Sequence, residues 1–217
     1  PTMNAGGPGV GCWRQVHRSS KGGRMVRTGS GAGFWASAAV LTLVNLIGCG
    51  VAGAGWTISQ LTDNDYDDVG PAISGTNVVW SAWDGSDWEI LSNFAGQLTH
   101  NNKDDVAPAV SGTNVVWQRW VDSDWEIISN FAGRLTNNGK DDVDPAISGT
   151  NVVWSHWDGS DWEIFSNFDG RLTDNGMDDT CPDISGENVV WERWGPSDAE
   201  IFSNFAGRLT NNVRDDA

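Results

Sequence analysis

Three short words recur along this chain at one fixed interval. Leu-Thr stands at residues 61–62, 98–99, 135–136, 172–173 and 209–210. Asp-Asp stands at 67–68, 104–105, 141–142, 178–179 and 215–216, and Val-Val-Trp ends at Trp80, Trp117, Trp154 and Trp191. Every interval is 37 residues. A period of this length means repeated supersecondary units, each unable to bury its apolar surface alone.

Within one period the pattern is all-β. Pro71-Ala72-Ile73-Ser74 opens a short strand, with proline where no ladder N–H is needed. Gly75-Thr76 make a turn, and Asn77 to Trp83 (NVVWSAW) is β-branched and aromatic, as strands are. Asp84-Gly85-Ser86-Asp87 reads as a hairpin turn, Trp88 to Phe94 as the next strand, Ala95-Gly96 as a turn and Gln97-Leu98-Thr99 as a short last strand. Four antiparallel strands per unit, short turns and one longer polar connection describe a β-propeller blade. Blades stack face to face, so their middle strands are apolar on both sides. Val78 and Val79 point to opposite faces, and Trp80 sits mid-strand beside them, as an inter-blade core requires.

The order Leu-Thr, acidic loop, Pro-x-Ile-Ser, glycine turn, Val-Val-Trp, Asp-Gly turn, Asp-x-Glu-Ile and Leu-Thr resembles the repeat of TolB-type propellers. The resemblance covers residues 56–217, with repeats at 62–98, 99–135, 136–172 and 173–209 and the start of a further blade. It implies a propeller fold. It does not imply TolB itself, because only Gly55 to Gln60 separate the apolar segment from the first Leu-Thr. The Trp-Asp pairs at 83–84 and 157–158 precede the turn and lack a Gly-His partner, which excludes a WD-repeat reading. Ile58 to Thr62 reads as a last-type strand, which with four whole repeats leaves one strand surplus. The expectation is therefore a longer natural protein that closes with six to eight blades.

Charge divides the chain. Residues 1–55 carry Arg14, Arg18, Lys21, Arg24 and Arg27 and no acid; all 29 acidic residues lie beyond them. An acidic repeat region repels nucleic acid and anionic lipid, so neither is an expected partner. Residues 1–24 read as a disordered or non-native leader, and Met25 as the expected true start. Residues 25–55 pass from Arg27 into an apolar run and read as a signal peptide or anchor. Three alternatives stand. Leu46-Ile47-Gly48-Cys49 resembles a lipobox, which implies lipidation at Cys49; cleavage after Ala54 fits a signal peptide; Phe34 to Ala54 is long enough for an uncleaved anchor. All three export the repeat region, to the periplasm, a membrane tether or the exterior of a bacterium. The membrane is an expected partner only through this segment. The three cysteines have no metal spacing and do not recur with the repeat, so neither zinc nor a disulfide framework is expected.

Two kinds of site stand out. The pairs Asp67-Asp68, Asp104-Asp105, Asp141-Asp142 and Asp178-Asp179 offer clustered oxygens to calcium, the one cofactor candidate. Against this, Asp and Asn close turns, or one Asp of each pair ties its loop to the adjacent blade. The residues before and at the second tryptophan vary between blades: Ser81-Ala82-Trp83, Gln118-Arg119-Trp120, Ser155-His156-Trp157 and Glu192-Arg193-Trp194. Near a strand end they are expected at a solvent-facing rim, which makes Trp83, Arg119, Trp120, His156, Trp157, Arg193 and Trp194 the binding candidates. The recurring Asp-x-Glu of Asp87 and Glu89 puts two carboxylates on one face. A copy in every blade gives identical pairs, not the single asymmetric pair of a glycosidase, so hairpin chemistry and edge solubility are the expected roles. His17, His100 and His156 do not recur, and no catalytic residue is expected. The expected function is non-catalytic: a scaffold presenting loops to a protein, peptide or glycan. The alternatives are a substrate-gating propeller of a prolyl-oligopeptidase-like hydrolase, or a purely structural surface repeat.

Overall fold

The computed structural model describes residues 57–211. The leader, the apolar segment and Cys49 lie outside them. The chain divides into two units. Of one, only residues 57–61 are described; they are exposed and carry no strand. The other contains every described element from Thr62 onward.

That unit is all-β, with no helix among the described residues. It holds four antiparallel four-stranded sheets, each drawn from one repeat. The first contains β1 (Asp68–Ser74), β2 (Asn77–Trp83), β3 (Trp88–Ser92) and β4 (Gly96–Gln97) in sequence order. The second contains β5 (Asp105–Ser111), β6 (Asn114–Val121), β7 (Asp124–Ser129) and β8 (Gly133–Arg134). β9 (Asp142–Ser148), β10 (Asn151–Trp157), β11 (Trp162–Ser166) and β12 (Gly170–Arg171) form the third. β13 (Asp179–Ser185), β14 (Asn188–Trp194), β15 (Ala199–Ser203) and β16 (Gly207–Arg208) form the fourth. The first strand of each sheet packs against the first, second and third strands of the sheet before it, giving a propeller-like stack of blades.

Alternation along the middle strands explains the stacking. Val79 and Ile90 meet Val110, Val115, Trp117 and Ile128 of the second blade. Val116 and Ile127 meet Val152 and Trp154 of the third; Val153 and Ile164 meet Ile184, Val189 and Trp191 of the fourth. Successive valines thus serve successive interfaces. The mid-strand tryptophans are all buried. Each aromatic of this kind removes about 150–250 Å² from water, an upper bound of about 4–6 kcal/mol.

One end of each of the first three blades is a latch to the next. Asn77 Nδ2 donates to Gly112 O at 2.7 Å, while Gly112 N donates to Ser74 Oγ at 2.9 Å. The same two bonds recur from Asn114 and Ser111 to Gly149, and from Asn151 and Ser148 to Gly186. Ser-Gly-x-Asn is therefore an inter-blade joint as well as a turn.

Four expectations are corrected. Residues 58–62 form no strand, and each blade is built within one repeat, so no surplus strand exists among the described residues. The first strand begins at Asp68, three residues before Pro71, because a β-bulge keeps the chain paired with β2 ahead of the proline. Its bulge residue has positive φ in every copy: 60° at Gly70, 52° at Ala107, 52° at Asp144 and 54° at Cys181. The third strand stops at Ser92, where Asn93 turns to bond Val78 N and Thr76 O. The fourth strand is Gly96–Gln97, and Leu98 leaves the ladder to donate its N–H to Ile90 O.

Candidate functional site

The second Asp of each pair is the first residue of its blade and turns inward. Asp105 Oδ1 accepts the indole N–H of Trp117 at 2.7 Å and Arg119 Nε at 2.6 Å; its Oδ2 accepts Asn101 Nδ2 at 2.6 Å and Arg119 Nη2 at 3.1 Å. Asp179 repeats the set with Trp191, Arg193 and Asn175. Asp142 repeats it with Trp154, Asn138 and His156, whose Nδ1 lies 2.7 Å from Oδ1. Asp68 holds Trp80 and Asn64, and Ala82 stands where the cation would be. Three of the four carboxylates are fully buried.

The first Asp of each pair reaches backwards. Asp104 Oδ1 accepts Trp88 N at 3.2 Å, Asp141 accepts Trp125 N at 3.0 Å, and Asp178 accepts Trp162 N at 3.0 Å. Each bond ties the incoming loop to the preceding blade. Asp67 is exposed, and its main-chain oxygen accepts Trp83 N. Among the described residues, no member of the four pairs belongs to a group of three potential metal ligands.

The positions expected at a solvent rim lie elsewhere. Ser81, Ala82, Gln118 and Ser155 are buried. Gln118 Oε1 accepts Asp144 N of the next blade at 3.1 Å. Arg119, His156 and Arg193 are half-buried, held by the carboxylates just described and by aromatic rings: Arg193 Cζ lies 4.3 Å from the Phe202 ring centre, and the His156 ring 4.6 Å from that of Phe165. A buried carboxylate on the neighbouring first strand draws each charge inward.

The Asp-x-Glu acids are also internal. Glu89, Glu126 and Glu163 have no exposed surface. Thr136 donates its hydroxyl to Glu126 Oε2 and accepts Ile127 N at 2.8 Å; Arg134 Nη2 donates to Glu126 Oε1 at 2.7 Å. Glu163 with Thr173 and Arg171, and Glu200 with Thr210 and Arg208, repeat this set. At 98–99, 135–136 and 172–173, Leu-Thr is thus a leucine packed against the core followed by a buried threonine that accepts a strand amide beside the carboxylate, whereas Leu61 and Leu209 are exposed. Edge solubility is not the role of these acids, because each is enclosed between its strand and the returning chain. Asp87, Asp124 and Asp161 are buried too, each with an Oδ2 lacking a hydrogen-bond partner. Burial pushes the carboxyls of Asp124 and Asp161 up.

The second tryptophans remain at the blade end that bears the hairpin turns and acidic loops. Trp83 and Trp88 meet edge to face at 5.6 Å, as Trp120 and Trp125 do at 5.4 Å; Trp157 and Trp162 lie tilted at 5.6 Å. Trp120 is the most open of the first members, at 39 % exposure. In the fourth blade Ala199 removes the partner of Trp194. Trp194 then lines an open depression of about 380 Å³ with Asp161, Met177, Asp178 and Pro196, and its indole N–H has no partner. The loss of one tryptophan was visible in the sequence; the depression beside Trp194 was not.

No protein-family model matches the chain, and no curated protein matches it. Among solved structures it is similar to the acylaminoacyl peptidase of Pyrococcus horikoshii, orthorhombic crystal form, with a TM-score of 0.52 and 9 % identity. The likeness covers 69 % of this chain and 27 % of that one, so the chain spans about a quarter of the peptidase. At that identity the likeness is one of fold, and it agrees with a β-propeller-like arrangement of the sheets.

Proposed function

We propose that this chain is a non-catalytic binding propeller of TolB-like type, exported to the envelope or exterior of a bacterium, that presents one blade end to a protein, peptide or glycan partner. The observation that carries the reading is the depression beside Trp194. The half-buried indole of Trp194 borders an open hollow with acidic groups at Asp161 and Asp178, and its N–H is buried without a partner. An aromatic wall with a few convergent polar groups is the usual chemistry of a recognition pocket. The division of labour between the blade ends supports it. The latch end is constant and consumed by inter-blade bonds, while the opposite end carries the turns that vary: Asp84-Gly85, Val121-Asp122, Asp158-Gly159 and Gly195-Pro196.

Peptide and glycan arrays probed with the full chain test this reading. The expected result is a ligand class whose binding falls at least tenfold on Trp194→Ala. Binding to neither array, or binding indifferent to that substitution, overturns it. A second reading, in which the blades gate substrate entry to a hydrolase domain, draws support from the likeness to a propeller-containing peptidase. It predicts that binding is confined to short peptides, and a glycan-selective result excludes it.

A further inference from the structure

The third blade shows how this fold neutralises a particular group of acids. Arg171 Nη2 sits among Asp158 Oδ2 at 3.0 Å, Glu163 Oε1 at 3.0 Å and Asp174 Oδ1 at 2.8 Å. One guanidinium thus serves three carboxylates from the hairpin turn, the buried strand and the loop after β12. Arg134 and Arg208 hold the buried glutamates of the second and fourth blades at 2.7 Å in the same way.

The first blade keeps the acids and lacks the cation. Counting back 74 residues, two repeats, Asp158, Glu163, Arg171 and Asp174 become Asp84, Glu89, Gln97 and His100. Gln97 is exposed and carries no charge. Asp84, Glu89 and His100 each bring one potential ligand atom to within 4.8 Å of the others. Glu89 is fully buried; its Oε2 meets no donor in hydrogen-bonding geometry, although the Thr99 hydroxyl lies beside the carboxylate, and Oε1 accepts Asn101 N at 2.6 Å. Asp84 spends Oδ1 on Ser86 and on the Asp87 amide. A buried carboxylate oxygen without a donor is costly, and the repeats show that the fold answers it with a cation at this place.

We propose that Asp84, Glu89 and His100 bind a divalent metal ion, with zinc as the best match, in the position that the arginine guanidinium occupies in the other blades. Two carboxylate oxygens and one imidazole nitrogen form a mixed set of the kind zinc accepts, with water completing the shell. Calcium wants six to eight oxygens and gains little from an imidazole. A tetrahedral ion about 2 Å from each ligand places the ligands about 3.3 Å apart. Closure by up to about 1.5 Å at the two exposed side chains, Asp84 and His100, completes the set around the fixed Glu89. The site differs from the Asp-Asp pairs, whose inner members already accept protein donors.

Calorimetric titration of Zn²⁺ into the full chain, with its His100→Ala and Gln97→Arg variants, tests the proposal. Gln97→Arg installs the residue that blades two to four carry, so the fold tolerates it, and it fills the site with a guanidinium. The expected result is one zinc equivalent present in the parent chain and lost, or weakened at least tenfold, in both variants. Thermal melts should show a zinc-dependent rise in Tm for the parent and none for Gln97→Arg. No zinc binding by the parent chain overturns the proposal, as does an unchanged zinc equivalent in either variant. Calcium binding at this place that ignores His100→Ala overturns the choice of metal.

Discussion

Trp117 donates its indole N–H to Asp105 Oδ1 at 2.7 Å, and the carboxylate that accepts it has no exposed surface. The bond joins the start of one strand to the middle of the next, and Arg119 closes the same carboxylate from the other side. Removing the acid leaves a guanidinium and an indole N–H without an acceptor inside the blade. Asp105→Ala is expected to cost about 3–5 kcal/mol in denaturant unfolding. Asp68→Ala, in the blade where Ala82 replaces the cation, should cost about 1–2 kcal/mol, since only neutral donors are orphaned. Equal costs at the two sites would contradict the role given to the ion pair.

Arg134, itself exposed, pairs with the fully buried Glu126. Arg134→Gln reproduces the first blade within the second, without His100 to assist. The expected loss is about 2–3 kcal/mol, because Glu126 stays buried with its charge unmatched. Adding Glu126→Gln should recover part of that loss. A double-mutant cycle measures the coupling, and purely additive effects would count against it.

The latch offers an internal control. Asn114→Ala deletes the bond to Gly149 O and is expected to cost about 1 kcal/mol. The equivalent Asn188 of the fourth blade has no such bond among the described residues, and Asn188→Ala should change stability by less than about 0.5 kcal/mol. Chemical denaturation of the two variants side by side gives the comparison.

Asp144 stands at a bulge with φ of 52°, and burial pushes its carboxyl from the ordinary 3.8 up to about 6. Between these values the unfolded chain ionises while the native chain keeps its proton. Stability contributed at this position is therefore full below pH 3.8, falls as pH rises, and is lost above pH 6. Asp144→Gly removes both the charge and the left-handed strain, as Gly70 does in the first blade. It is expected to raise stability by about 1–2 kcal/mol at pH 7, after discounting for partial solvent exposure, and by less at pH 4. Unfolding curves at the two pH values check the sign.

Ala199→Trp restores the missing partner of Trp194, with which residue 199 pairs, and is expected to draw the indole out of the wall of the depression. The ring pair should add about 0.5–1.5 kcal/mol of stability while removing partner binding. Opposite directions in the two measurements are the signature; binding retained with Trp194 re-paired would place the contact surface elsewhere.

The 37-residue period, the alternation of Val78 and Val79, and the turn residues at Gly75 and Asp84-Gly85 carried most of the fold in the sequence alone. These are local properties: a strand's two faces follow from the order of its residues, and a repeat that is apolar on both must stack. The ends of the strands were legible only to within a few residues, because the bulge at Gly70 and the departure of Leu98 from the ladder depend on partners across the sheet. The acids were not legible in the same way. Asp105, Glu126 and Asp84 look alike as a row of carboxylates in a soluble chain, and only folding decided which would meet an indole, which a guanidinium and which neither. Asp105 meets Trp117 12 residues away and Asn77 meets Gly112 35 residues away. Sequence order sets which groups repeat. Whether a buried charge finds a donor is settled by the path of the chain around it, and there Gln97, standing where the other three blades carry arginine, leaves Glu89 without the guanidinium that its counterparts have.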